Sequence, residues 1–242
     1  MKRNTGNLLM PVMMLISGLA AFYLRTRLYA EATDAKGLLL RGHPLGIGLI
    51  ALSVAAMLLV ALVAWSQKKT GYAATPLGNL LAALGNVAAG AGILSTMLTA
   101  EPVQAGYLTT VWRYLGLAAS ACLVLAGITR ALGKRPFFLL YVAVCMFFLV
   151  YIVTQYQLWS ANPQMQDYVF ALLGAMALMF FGFYEASQEA GCGDYRIKLG
   201  MGLAAIYLCL AELARSSCPA LYLGGILWVL TELVTAEKRV KR

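Results

Sequence analysis

Long apolar runs recur along this chain, and they constrain its fold more than any other feature. A helix that crosses the hydrocarbon core of a bilayer, about 30 Å thick, needs roughly 17 to 25 apolar residues at about 1.5 Å each. Eight runs have such a length, and they cover residues 7–24, 44–65, 77–99, 111–129, 137–158, 168–187, 198–214 and 219–236. Hydrophobic residues make up 61% of the chain and charged residues 12%, whereas soluble domains are roughly 45 to 50% apolar and about 25% charged. Lipid is therefore the expected solvent.

The fold class predicted from these runs is all-α, a polytopic bundle of about eight transmembrane helices that forms a single integral membrane domain over residues 1–242. Pro44, Pro76, Pro136 and Pro219 stand at the starts of runs, where the missing backbone N–H of proline costs a helix nothing. Helices also satisfy every backbone polar group within their own segment, as lipid demands.

The distribution of Lys and Arg predicts that both termini are cytoplasmic. With the amino terminus inside, the cytoplasmic segments hold 13 of the 19 basic residues, in agreement with the positive-inside rule. The first connector is the exception, because it carries Arg25, Arg27, Lys36 and Arg41 on the outer side. We expect part of it to lie along the interface as an amphipathic segment. A cleavable signal peptide that ends at residues 30–32 is the alternative.

The partner expected from the sequence is the lipid bilayer, with a protein partner or a small solute as further candidates. The formal net charge is +9, but the basic residues lie in short clusters between apolar runs, which does not suggest nucleic acid. With one histidine and no Cys-x-x-Cys pair, no cofactor and no metal site are expected. Compact connectors without a recognisable sorting signal favour the cell membrane.

Four ionisable residues are the candidate intramembrane polar sites: Glu232, Glu185, Glu212 and Arg113. Charged side chains in hydrocarbon usually face the bundle interior or water. Glu232 should lie in the inner third of the membrane, with Glu185 at a similar depth facing the cluster Arg130, Lys134 and Arg135. Such a group could bind a cation or a proton.

Glu212 and Arg113 should lie at similar heights near the outer face and could form a buried ion pair. For all four candidates the alternative is a structural pair that fixes helix packing, or a side chain that reaches the interface. His43 could join Glu31 and Asp34 in an external metal or proton site, or be a solvated loop residue.

Small residues on the third run predict a close helix contact. Asn79, Ala82, Asn86, Ala89 and Gly90 recur at steps of three and four residues, which gives one narrow face of small and amide side chains. We expect this helix at the centre of the bundle.

One motif resembles a known catalytic signature. The segment Gly191-Cys192-Gly193-Asp194 is similar to the Gly-x-Gly-Asp element of intramembrane aspartyl proteases, which include the prepilin peptidases. That resemblance implies a second aspartate at the same site, since the chemistry needs two carboxyl groups that share a proton. Asp34 and Asp167 are the remaining aspartates, and both fall in connectors assigned to the outside. A turn between two spans is the alternative.

Three functional hypotheses follow. The first is a non-catalytic membrane module, such as a sensor, an assembly partner or a binding subunit, because charge within the spans is sparse. The second is a transporter or channel-like component for a small solute or ion, which would use Glu232 and Glu185 in an inner site. The third is an intramembrane aspartyl protease-like enzyme.

Overall fold

The structure, a computed structural model, describes residues 6–33, 39–40, 42–67, 72–74, 76–99, 107–159 and 168–238. Within these residues the chain forms eight α-helices, one 3₁₀ turn and two short strands. In chain order they are α1 (Gly6–Glu31), α2 (Pro44–Ser66), β1 (Tyr72–Ala74), α3 (Pro76–Thr99), α4 (Tyr107–Ala131), α5 (Phe138–Trp159), α6 (Val169–Glu189), α7 (Tyr195–Glu212), the 3₁₀ turn (Leu213–Arg215), α8 (Pro219–Thr235) and β2 (Ala236–Lys238).

The predicted helical bundle is confirmed. Seven of the described helices are long and apolar enough to cross a membrane, and α8 is a shorter apolar helix. Helices α2 to α8 start and end within four residues of the limits predicted from the sequence. The end of α1 is wrong, because this helix continues from the predicted Leu24 to Glu31. Its buried face recurs every three or four residues through Ala21, Arg25 and Leu28, so packing against the bundle carries the helix past its first charge.

Helix α8 runs antiparallel along α3, which is consistent with a bundle of about eight spans. A Cβ atom added to Gly224 would lie 2.8 Å from the carbonyl oxygen of Ala88, and one added to Gly92 would overlap the carbonyl oxygen of Ala220. Further along, Gly85 lies against Thr231. Glycine at these positions lets the two backbones touch, which is how helices associate in lipid.

A two-stranded ribbon, which no pattern in the sequence predicts, closes one end of the bundle. Strand β1 pairs antiparallel with β2, with Tyr72 opposite Lys238 and Ala74 opposite Ala236. The connector between α2 and α3 therefore meets the segment after α8. Six helices, α3 to α8, lie between these two segments. An even number of membrane crossings returns the chain to the same face, so both segments lie on one face of a membrane. That face is called the inner end below, following the orientation predicted from charge.

The centre of the bundle is α7, not α3 as expected from its small residues. Along α7 every residue from Ala205 to Glu212 is buried, whereas α3 exposes Leu84, Leu94 and Leu98 on its far side. The small face of α3 does pack as predicted. Its neighbours are α8 and α4.

Candidate functional site: two buried ion-pair clusters

Among the residues that the structure describes, the buried charged side chains fall into two groups at opposite ends of α7. The inner cluster consists of Arg130, Glu185, Lys198 and Glu232, which are between 1% and 7% exposed. The outer pair consists of Arg25 and Glu212, at 1% and 5%. Burial of a charge is costly without an opposite charge at hydrogen-bond distance, and both groups contain such partners.

Arg130 is the hub of the inner cluster. Its Nη1 donates to Oε1 of Glu232 in a short charged contact. Its Nη2 donates to Oε2 of Glu185 at 3.3 Å and to Oε1 of Glu189 at 3.1 Å. The planar fork of a guanidinium suits such simultaneous binding, so one side chain on α4 joins two carboxylates of α6 to one of α8.

Lys198 and Asn86 complete the inner cluster from α7 and α3. The Nζ atom of Lys198 lies 2.5 Å from Oε1 of Glu185 and donates to Oε1 of Gln188 at 3.0 Å. Asn86 donates through Nδ2 to Oε1 of Glu232 at 3.2 Å. Five helices therefore meet in one polar network.

Two glycines end α4 and α6 immediately beyond these charges. Gly133 has a φ of 72° and Gly191 a φ of 85°, in the left-handed region that glycine adopts without strain. At each end the next amide donates to a helix carbonyl five residues earlier, as in a Schellman cap. These caps stop α4 just after Arg130 and α6 just after Glu189, at the inner end.

The inner cluster holds more acid than base. With Glu189 it contains three carboxylates and two cations. Around it, three buried polar atoms have no hydrogen-bond partner among the described residues: Asn86 Oδ1, the hydroxyl of Tyr141 and Trp228 Nε1. The Tyr141 ring lies 5.9 Å from the Arg130 guanidinium and stacks on Trp228 at 6.1 Å between centroids. Around the cluster, Asn86 Oδ1 can therefore still accept a hydrogen bond, Trp228 Nε1 can donate one, and the Tyr141 hydroxyl can do either.

The outer pair joins α1 to α7. Arg25 Nη1 lies 2.5 Å from Oε2 of Glu212 and donates to the carbonyl oxygen of Ala211 at 2.9 Å. The guanidinium also lies 5.0 Å from the centre of the Phe170 ring, within cation–π range. This pair requires α1, which cleavage of a signal peptide would remove.

The structure brings some of the predicted residues together and gives others new neighbours. Glu185 contacts Arg130, as expected, and Glu232 contacts it as well, but Lys134 and Arg135 are exposed in the connector after α4. Glu212 pairs with Arg25, a residue that the lengths of the apolar runs place in the first connector. The candidate Arg113 is half-buried on α4.

The sequence analysis does not identify three charged contributors. Arg25 and Lys198 count there as connector charges, and Glu189, which accepts from Arg130, is not among the candidates. A signal for Arg25 exists in the sequence. It lies four residues after Ala21 and three before Leu28, on a face that continues the apolar stripe of α1. A charge in register with such a stripe indicates burial with a partner.

Asp194 of the protease-like motif caps α7. Its Oδ1 accepts from the backbone N–H of Arg196 at 3.1 Å, and its Oδ2 lies 3.2 Å from Nη2 of the same arginine. Together with the left-handed Gly191, this makes the motif a tight turn that ends α6 and starts α7. Asp34 and Asp167, the two possible partners in the protease hypothesis, lie outside the described residues. In the described part of the chain no three His, Cys, Asp or Glu side chains are grouped to hold a metal ion.

Comparison of the chain with models of protein families finds no match, and neither curated proteins nor solved structures match it.

Proposed function

We propose that this chain is a non-catalytic membrane module of the cell membrane, such as an assembly partner or a binding subunit. Ion pairs stabilise its fold at both ends of α7. The observation that carries this proposal is the placing of the two charged groups. One holds the start of α7, through Lys198, and the other holds its end, through Glu212.

The distance between these groups supports a structural role. Glu212 lies fourteen positions after Lys198, a rise of about 21 Å at 1.5 Å per residue. The intervening residues of α7 carry no carboxylate, amine or guanidinium. Near the middle the hydroxyl of Tyr207 bonds sideways to Ser53 at 2.8 Å. Such an arrangement favours a rigid core over a charged path across the membrane.

A bundle of this kind offers its lipid-facing and connector surfaces to a partner. The connectors are short and contain clusters of Lys and Arg. Such clusters bind anionic lipids, which favours a bacterial-type plasma membrane. The protein partner would bind the outside of the bundle and leave the buried charges paired.

The test combines purification with flux measurements. Mild detergent extraction of the tagged protein from its native membrane is expected to return a partner in a fixed stoichiometric ratio. Liposomes that contain the purified chain should show the same proton and cation leak as empty liposomes. A chain that purifies alone from native membranes and also conducts would overturn the proposal.

A transporter or channel-like component is the second candidate, and the carboxylate excess of the inner cluster favours it. The third carboxylate, Glu189, is partly exposed, and a carboxylate excess with unused hydrogen-bonding atoms nearby is the kind of group that binds a proton or cation in a membrane protein. The discriminating variant is Glu232→Gln, with Glu31→Gln on the exposed surface as its matched control. Flux that Glu232→Gln abolishes and Glu31→Gln preserves would establish this second function.

A further inference from the structure

A groove of about 1020 Å³ opens between α2 and α6 at the outer half of the bundle. One wall is formed by α2 and the other by the first turn of α6, while α1 and α7 close the back. The α2 wall presents Ile47, Ile50, Val54 and Leu58, each more than half exposed. The groove is therefore apolar along its length and open to the lipid.

The length of the groove matches one leaflet. Its α2 wall runs from Gly46 to Leu58, a rise of about 18 Å at 1.5 Å per residue. Half of a hydrocarbon core of about 30 Å is about 15 Å. The groove begins at the start of α2 and lies beside the first turn of α6, both at the outer end, so it spans the outer leaflet alone.

The mouth of the groove is polar and cationic. Arg25, Tyr29 and His43 line it, and the guanidinium of Arg215 lies 4.5 Å from the centre of the Tyr29 ring. Glu212 offsets the charge of Arg25, but Arg215 is exposed. The start of α2 adds the positive end of its helix dipole.

His43 gives the mouth a free ring nitrogen. Its Nδ1 is shielded from solvent and has no hydrogen-bond partner among the described residues. A phosphate oxygen at the mouth would accept from the guanidinium of Arg215 and from a ring N–H of His43.

We propose that this groove binds a phospholipid with an anionic headgroup, with one acyl chain along α2 and the phosphate at the mouth beside Arg215 and His43. Two features support this occupant: the match between groove length and leaflet thickness, and the cationic mouth above an apolar wall. A partner transmembrane helix fits less well, since it would have to cross both leaflets while the groove covers one. The site goes beyond the function proposed above, and the flux measurements do not bear on it.

The experiment is native mass spectrometry of the full chain released from nanodiscs of dioleoyl phosphatidylglycerol or dioleoyl phosphatidylcholine. Gly46→Phe fills the groove, because a Cβ atom there meets only Leu28, at 3.8 Å. Gly48→Phe is the matched control on the same helix, since a Cβ atom there meets nothing within 4 Å and Gly48 does not line the groove. Leu173→Trp fills the groove from α6 and guards against misfolding of a single variant.

We expect the parent and Gly48→Phe to retain one phosphatidylglycerol, and both filling variants to lose it, because an aromatic ring would occupy the space of the acyl chain. Arg215→Gln should reduce the preference for phosphatidylglycerol over phosphatidylcholine, while Arg196→Gln at the inner end leaves it unchanged. Equal retention of both lipids, an adduct unaffected by groove filling, no adduct, or an adduct of polypeptide mass would each overturn the proposal.

Discussion

Removal of one member of the outer pair should destabilise the bundle far more than removal of both. Arg25 and Glu212 are at most 5% exposed and 2.5 Å apart. The change Glu212→Leu keeps the side-chain volume but removes the counter-charge of Arg25 and leaves it with neutral partners, among them the carbonyl oxygen of Ala211 at 2.9 Å. The guanidinium is 1% exposed, so it stays poorly hydrated once its counter-charge is removed.

The expected magnitude follows from that burial. Breaking a buried ion pair from one side costs about 3 to 5 kcal/mol, which is roughly two to four orders of magnitude in the unfolding equilibrium constant. The double variant Arg25→Met with Glu212→Leu removes both charges and should recover most of this loss, because paired burial contributes little net free energy. The contact of Arg25 with Phe170 is lost in the double variant, so recovery stays incomplete.

The assay is SDS-driven unfolding in detergent micelles, followed by circular dichroism, as a double-mutant cycle. Glu31→Leu is the control, because Arg27 and Glu31 form a pair of similar length, 2.7 Å, with both side chains about half exposed. Its unfolding midpoint should match that of the parent. A Glu212→Leu midpoint equal to that of the control, or additive single and double variants, would refute the burial and pairing of these residues.

Three other predictions follow from the described packing. A membrane-impermeant maleimide should label Cys192, the exposed thiol between α6 and α7, in inside-out vesicles and not in right-side-out vesicles; the opposite result would reverse the orientation. Gly92→Leu should lower the yield of folded protein, since even a Cβ atom there overlaps a backbone oxygen of α8, whereas Gly48→Leu should express at the parental level. Lys198→Met should destabilise the bundle by about 3 to 5 kcal/mol, because Glu185 would lose its nearest cation; a parental midpoint in SDS would contradict the pairing.

The helical bundle could be predicted from the sequence because run length and composition set it, whereas side-chain pairing depends on which helices become neighbours. The sequence predicts a similar depth for Glu185 and Glu232, with Glu185 facing Arg130, because all three lie near the inner ends of their spans; it does not predict the contact of Glu232 with Arg130. Arg25 was missed because its helix was ended at the first charge. Lys198 was counted as a cytoplasmic signal, although it is 4% exposed. When Arg25, Arg130 and Lys198 are left out of the Lys and Arg count of the connectors, the cytoplasmic connectors still hold more basic residues than the outer ones.

Hydropathy does not predict which helix is most buried in the bundle, and the reason is physical. It measures compatibility with lipid, so it is highest for α2, of which less than a quarter is buried. Helix α7 was the shortest predicted run and the least certain, yet nearly three quarters of it is buried. A central helix does not have to satisfy lipid along its sides, and its terminal charges are acceptable once Arg25 and Glu185 pair with them. In this bundle the most apolar helix, α2, therefore lies at the periphery, and α7, with a paired charge at each end, forms the core.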